Sequence, residues 1–138
     1  MFAVLLDTFG YRTMALVHIL AAVVAFGPLF LYPGLRRAGA TSTLASMHMR
    51  MTFPALVVRW VAGMGLAGMS EDVYELTQPW LSLSILLWVI LIVVSWFLIR
   101  PAIDDQSEAA TKKFSAGVGI THVGLVVGLV LMIWKPGF

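Results

Sequence analysis

Four runs of about twenty or more residues pass almost without charge, and this property limits the possible folds more than any other. Thr13 to Leu35 carries no acidic or basic residue over 23 positions, Leu76 to Ile99 none over 24, and Phe114 to Trp134 none over 21. Met51 to Ser70 is interrupted once in 20 positions, by Arg59. About 20 apolar residues cross the hydrocarbon core of a bilayer. No water is present there to satisfy backbone N–H and C=O groups, so a spanning segment must be a helix or part of a closed barrel. These runs are too long and too unalternating for barrel strands. The sequence therefore predicts an all-α protein, a four-helix transmembrane bundle. A single integral membrane domain covers 1–138, with spans at about 13–35, 51–70, 76–99 and 114–134.

The remaining composition agrees. Charged residues make up 12% of the chain, about half of what a soluble domain carries. There is no cysteine, which excludes disulfides, thiolate metal sites and cysteine nucleophiles. The net charge of +2 is scattered over span ends and forms no nucleic-acid patch. Met1 to Asp7 lacks a basic leader and a small-residue cleavage site, so no removable signal peptide is expected.

Short links predict an up-down-up-down order. Arg36 to Arg50 joins spans one and two, with Pro33-Gly34 ending the first helix. Glu71 to Glu75 joins two and three. Arg100-Pro101 stops span three, and a polar stretch through Lys113 leads to span four. The side bearing the first and third links holds Arg36, Arg37, Arg50, Arg100, Lys112 and Lys113, whereas the other holds Arg12 and Lys135. The positive-inside rule puts the richer side in the cytoplasm, with both termini on the non-cytoplasmic side. Residues 2–11 are expected on the outer interface or as an extension of span one.

Membrane helices pack through small residues and turn polar groups toward each other. At helical spacing, Met14, Ala15, His18, Ala22, Ala25 and Leu29 form one inward stripe. Thr52, Ala55, Arg59, Ala62, Gly63, Leu66 and Ser70 form a second. Ser84, Trp88, Leu91 and Ser95 form a third. Gly117, Thr121, Gly124 and Gly128 make a smooth seam on span four, for close packing within the bundle or, alternatively, a homodimer face. Leu86, Ile90 and Val93 are left for lipid.

Arg59 carries the sharpest functional question. A charge at the centre of a span costs about 3 kcal/mol on insertion scales. All seven acids lie outside the four cores, and Glu71, the nearest on span two, is 12 residues away, or about 18 Å of helix. Arg59 is therefore expected to snorkel toward the start of span two, to bond Ser84 or Ser95, or to meet an anion from elsewhere. That anion is a lipid phosphate, a haem propionate or a partner subunit's acid.

Imidazoles invite a haem or copper reading. His18 and His122 are offset by about 10 Å along the normal when depth is counted at 1.5 Å per residue, which disfavours a haem held between them. Each is expected as a hydrogen-bonded interior histidine, with a one-histidine haem b as the alternative. His18, His48, Met47 and Met49 are weak copper candidates. Alternating positions on a helix diverge, however, so Met47-His48-Met49-Arg50-Met51 reads mainly as an interfacial helix start. Trp80, Trp96 and Trp134 suit interface anchors. Trp60 and Trp88 lie deeper, against the bundle, a pigment, a lipid or a partner. A kink is expected at Pro28. No catalytic constellation appears.

The run His18-Ile19-Leu20-Ala21-Ala22-Val23-Val24-Ala25-Phe26-Gly27-Pro28-Leu29-Phe30 opens span one. Pro79-Trp80-Leu81-Ser82-Leu83-Ser84-Ile85-Leu86-Leu87-Trp88 opens span three, which closes on Arg100-Pro101. These stretches resemble a bacterial family of predicted four-span integral membrane proteins of unknown function. They are more distantly similar to the membrane domain of copper-resistance D proteins. The resemblance implies a bundle in the bacterial cytoplasmic (inner) membrane and gives weight to His18, but implies no established activity. The chain is accordingly expected to be a non-catalytic accessory or assembly subunit of a larger membrane complex. Its expected contacts are bound lipid, other membrane subunits or its own copies, and no nucleic acid. The alternatives are a haem b- or copper-binding redox protein and a small-solute carrier acting as an oligomer. Arg59, His18, His122 and Trp88 are the candidate ligand or partner contacts, and Gly63, Gly117, Gly124 and Gly128 the packing positions.

Overall fold

A computed structural model describes residues 8–137. Among them are four helical stretches long and apolar enough to cross a membrane: Phe9–Arg37, Thr41–Met69, Pro79–Ala102 and Glu108–Trp134. No strand occurs among the described residues. Span one comprises α1 (Phe9–Phe26), a 3-10 turn (Pro28–Phe30) and α2 (Tyr32–Arg37). Span two runs through α3 (Thr41–Met47), a turn of π-helix (His48–Thr52) and α4 (Phe53–Met69). Span three contains α5 (Pro79–Val94), a second π turn (Ser95–Ile99) and α6 (Arg100–Ala102). Span four is the single helix α7 (Glu108–Trp134).

The helices outrun the uncharged cores. Span two begins at Thr41 rather than Met51, so the expected 36–50 loop shrinks to residues 38–40. Span three likewise passes through Arg100-Pro101 to Ala102. A missing charge marks the part of a helix suited to hydrocarbon, while the helix itself continues for as long as its backbone pairs. At the other end, residues 1–7 of the expected N-terminal segment lie outside the described residues. From Phe9 the chain is already span one, capped by Thr8, whose hydroxyl accepts the Tyr11 N–H at 3.3 Å. Span four starts with Ser107, whose Oγ accepts from the Ala110 N–H at 3.2 Å. One turn before, the Asp105 carboxylate accepts the Ser107 N–H at 2.9 Å, and this backbone donor holds its pKa below the usual carboxylate range.

Prolines shape the breaks. Pro28 follows the end of α1 at Gly27 and opens the 3-10 turn. Both π turns end two residues before a proline, Pro54 and Pro101. A helix-interior proline lacks an N–H and pushes against the carbonyl four residues back. A wider turn just upstream gives that carbonyl room, which accounts for π geometry at both places.

The inward stripes are observed as the sequence predicts: Ala25, Leu29, Ala55, Arg59, Ala62, Leu91, Ser95, Gly117, Thr121, Gly124 and Gly128 are buried, and Leu86, Ile90 and Val93 are exposed. Span one lies along span two, and span three along span four, with sparser contact between two and three. Glycines set the close approaches. A Cβ on Gly124 would sit 2.6 Å from Leu91 Cδ2, and one on Gly117 2.7 Å from Ile99 Cγ1. The main core, around Leu29, Tyr32, Leu56, Leu91, Ile99 and Phe114, occupies one end of the bundle. A small cluster of Trp80, Leu81 and Leu131 closes the other.

Candidate functional site

Between these two clusters, where the helix pairs diverge, lies a cavity of about 360 Å³. All four spans contribute to it. Arg59 sits at the main-core end, and Tyr11, Tyr74, Trp80 and Lys135 mark the opposite end. The volume falls within the range of small-molecule sites, which are mostly apolar with a few placed polar groups. Tryptophans supply much of the wall: Trp60 and Trp88 stack at 4.9 Å with their planes 22° apart.

Arg59 is the crossing point of the fold. Its backbone carbonyl accepts the His18 Nδ1–H at 2.8 Å, pinning span one to span two. One turn earlier, the Leu56 carbonyl accepts the Trp88 Nε1–H at 2.8 Å, pinning span three to span two. The guanidinium itself lies against span four, where a Cβ on Gly128 would be 3.0 Å from Nη2. Gly63, across the helix pair, leaves room for the His18 ring: a Cβ there would be 3.1 Å from Cε1. Two glycines thus make space for the two polar side chains of the cavity.

The side chain of Arg59 is only 8% exposed, so it does not snorkel. Nor does it bond the serines. Ser84 Oγ donates to the Trp80 carbonyl at 2.7 Å, and Ser95 is committed to His48. Among the described residues, Arg59 has neither an ion pair nor a side-chain hydrogen bond, and it faces the cavity. Since a carbonyl can only accept, His18 must donate from Nδ1, which leaves the Nε2 lone pair of the neutral ring uncommitted.

His122 is not part of this cavity. Its ring packs against Phe26 at 5.4 Å and Phe30 at 4.7 Å. Its Nε2 is buried with no partner among the described residues, where the sequence predicts a hydrogen-bonded histidine. It lies on the span-one side of α7, where apolar rings surround it. Trp60 Nε1 is likewise buried and unpaired.

Nearer the other end, the sequence reading missed a second polar centre. His48 is enclosed by the bundle, 0% exposed. A consistent set of donors runs through it. Nε2–H donates to the Ser95 carbonyl at 3.0 Å, with Ser95 Oγ 3.1 Å from the same nitrogen; Nδ1 therefore accepts from the Tyr32 hydroxyl at 2.9 Å, and Thr52 Oγ1 lies 2.7 Å from that hydroxyl. Both imidazole nitrogens are engaged, so His48 offers no lone pair to copper, and the Met47–Met49 reading does not fit. The spacing of His48, Thr52, Ala55 and Arg59 on one helical face is the signal that could have placed His48 inside. Arg36 also departs from expectation. Counted as a loop charge, it is instead buried, donating to Asp105 O at 2.7 Å and Thr111 Oγ1 at 3.0 Å, with Phe114 5.2 Å beneath its guanidinium. The carbonyls left free at the end of span three attract it.

At the opposite end Lys135 Nζ donates to the Tyr74 hydroxyl at 2.8 Å and lies 4.4 Å from the Tyr74 ring centroid. No family model, curated protein or solved structure matches this chain.

Proposed function

We propose that the protein is a non-catalytic, ligand-holding protein of the membrane, and that its ligand carries an anion to Arg59. The observation behind this reading is a buried guanidinium that faces a 360 Å³ cavity with no carboxylate or hydrogen-bond partner among the described residues. A buried cation left unpaired costs several kcal/mol, and a bound anion would offset that cost. The walls are apolar and aromatic, so the rest of the ligand is apolar.

The reading includes an accessory role in a larger complex of the bacterial inner membrane, with the termini on the non-cytoplasmic side. The likeness to the four-span family belongs to this proposal too. A second reading, a one-histidine haem b, is favoured by the uncommitted Nε2 of His18. Met64 and Met132 also line the cavity. A visible spectrum of the purified protein separates the readings: a Soret band supports haem, and a colourless sample removes it.

Extraction in mild detergent followed by native mass spectrometry tests the main proposal. The wild type is expected to carry a non-covalent anionic adduct, and Arg59→Met to lose it. Without ligand, Arg59→Met is expected to be the more stable chain by about 1–3 kcal/mol, since it removes a buried unpaired charge. An adduct of unchanged mass and occupancy in Arg59→Met would overturn the proposal.

A further inference from the structure

Resting on the anion-binding reading, we infer that the cavity selects a compact organic monocarboxylate with a flat apolar body, seated carboxylate-inward. Depth makes the first selection. The Arg59 guanidinium lies against Gly128, and Lys135 caps the end of α7 seven residues later, which is about 10 Å of helix rise. A phospholipid whose tails stay in the bilayer holds its phosphate at the interface, the level of Lys135 rather than Arg59. An anion that reaches Arg59 must travel inward and bring its own apolar body with it.

Size makes the second selection. The cavity's 360 Å³ lies at the small end of small-molecule sites and suits one or two fused rings with a small acid. Shape makes the third. The stacked pair Trp60–Trp88 and the indole of Trp80 present flat surfaces along the cavity, against which a planar body stacks.

Charge makes the fourth. The planar fork of a guanidinium matches two carboxylate oxygens, and among the described residues no acidic side chain lines the cavity to compete. Inorganic anions would leave the apolar walls without a partner. Lys135, held over Tyr74 and Trp80 at 4.4 and 5.7 Å, stands at the far end, where it attracts an anion to the opening. His18, its ring fixed by the Arg59 carbonyl, can accept a ligand hydroxyl at Nε2.

Equilibrium dialysis of the full chain in phosphatidylcholine nanodiscs tests this, with empty nanodiscs subtracted. The probes are 2-naphthoate, its neutral isostere 2-naphthamide, palmitate and inorganic phosphate, with phosphatidylglycerol supplied in separate discs. Naphthoate is expected to bind one per chain and at least about tenfold tighter than the amide. Arg59→Gln should abolish that preference while circular dichroism stays unchanged. Arg59→Lys, which keeps the charge but not the fork, should lose about tenfold, and it serves in place of Arg59→Gln should that variant fail to fold. Naphthoate and naphthamide binding alike would overturn the inference, as would naphthoate binding indifferent to both Arg59 variants. Arg59-dependent binding of phosphate, palmitate or phosphatidylglycerol in place of naphthoate would overturn it while leaving anion binding intact. Absence of any Arg59-dependent binding would overturn both.

Discussion

Tyr32 shows how much one hydroxyl can carry where water is excluded. It donates to His48 Nδ1 and lies 2.7 Å from Thr52 Oγ1, and all three residues are buried. Tyr32→Phe keeps the ring and its packing on Phe114, 6.3 Å away, but strands an imidazole nitrogen and a threonine hydroxyl. Leaving buried polar groups unmade costs about 1–3 kcal/mol, and the denaturation midpoint in detergent micelles should fall accordingly. A loss below about 0.5 kcal/mol, the range of ordinary surface changes, would mean that the chain of donors does not hold the helices together. Arg59 follows the opposite logic. No described residue pairs with its side chain, so on the proposed reading the residue that lowers the stability of the ligand-free protein is also the one that recognises the ligand. Such opposition between stability and activity is common at functional sites.

At the level of elements, the two π turns are the unusual feature. They lie on adjacent spans, each just ahead of a proline, and they bring His48 and Ser95 into register. In an ordinary helix interior proline is about 3 kcal/mol worse than alanine, so replacing it normally stabilises. Pro54→Ala is expected not to. Without the proline, the wide turn can close to α-helix, which rotates the preceding segment by about 100° per residue absorbed and carries His48 away from Ser95. Unfolding measurements should show no gain in stability, and a gain above about 1 kcal/mol would show that the π turn does not depend on the proline. The glycines act at this scale as well. Gly117 and Gly124 bring span three onto span four, whereas Gly63 and Gly128 make room for His18 and Arg59, so similar sequence signals serve packing in one place and the cavity in the other.

For the whole molecule, the cavity follows from how the spans pair. One and two are close, three and four are close, and the buried core that joins the pairs lies mainly at the Tyr32–Phe114 end. The space left toward Tyr74 and Lys135 is therefore a property of the bundle rather than of any helix. Orientation in the membrane is set by charge. The excess of Lys and Arg around the first and third links predicts that these face the cytoplasm. The natural chain has no cysteine, so single replacements report cleanly. Asp72→Cys, in the exposed second link, should react with an impermeant maleimide in intact cells. Gln106→Cys, in the exposed third link, should react only after permeabilisation. The reverse pattern would invert the topology.

The uncharged runs alone specify four helices, because lipid offers the backbone no other partner. Small-residue periodicity also discloses which face of each turns inward, since the close contacts need those residues wherever the helices end up. Helix ends were less legible: Thr41 to Arg50 is polar enough to read as a loop, yet its backbone pairs as helix. The role of each buried polar group was not legible at all. Composition shows that Arg59 lacks an acid nearby in sequence; only the packing shows that it bonds neither Ser84 nor Ser95 and that His18 uses the Arg59 carbonyl. The same holds for Arg36, which charge counting puts in solvent and the fold puts over Phe114. Periodicity is a local property of one helix, and it survives without neighbours. Partnership belongs to several helices at once, and so tertiary structure alone decided that Arg59 faces a cavity.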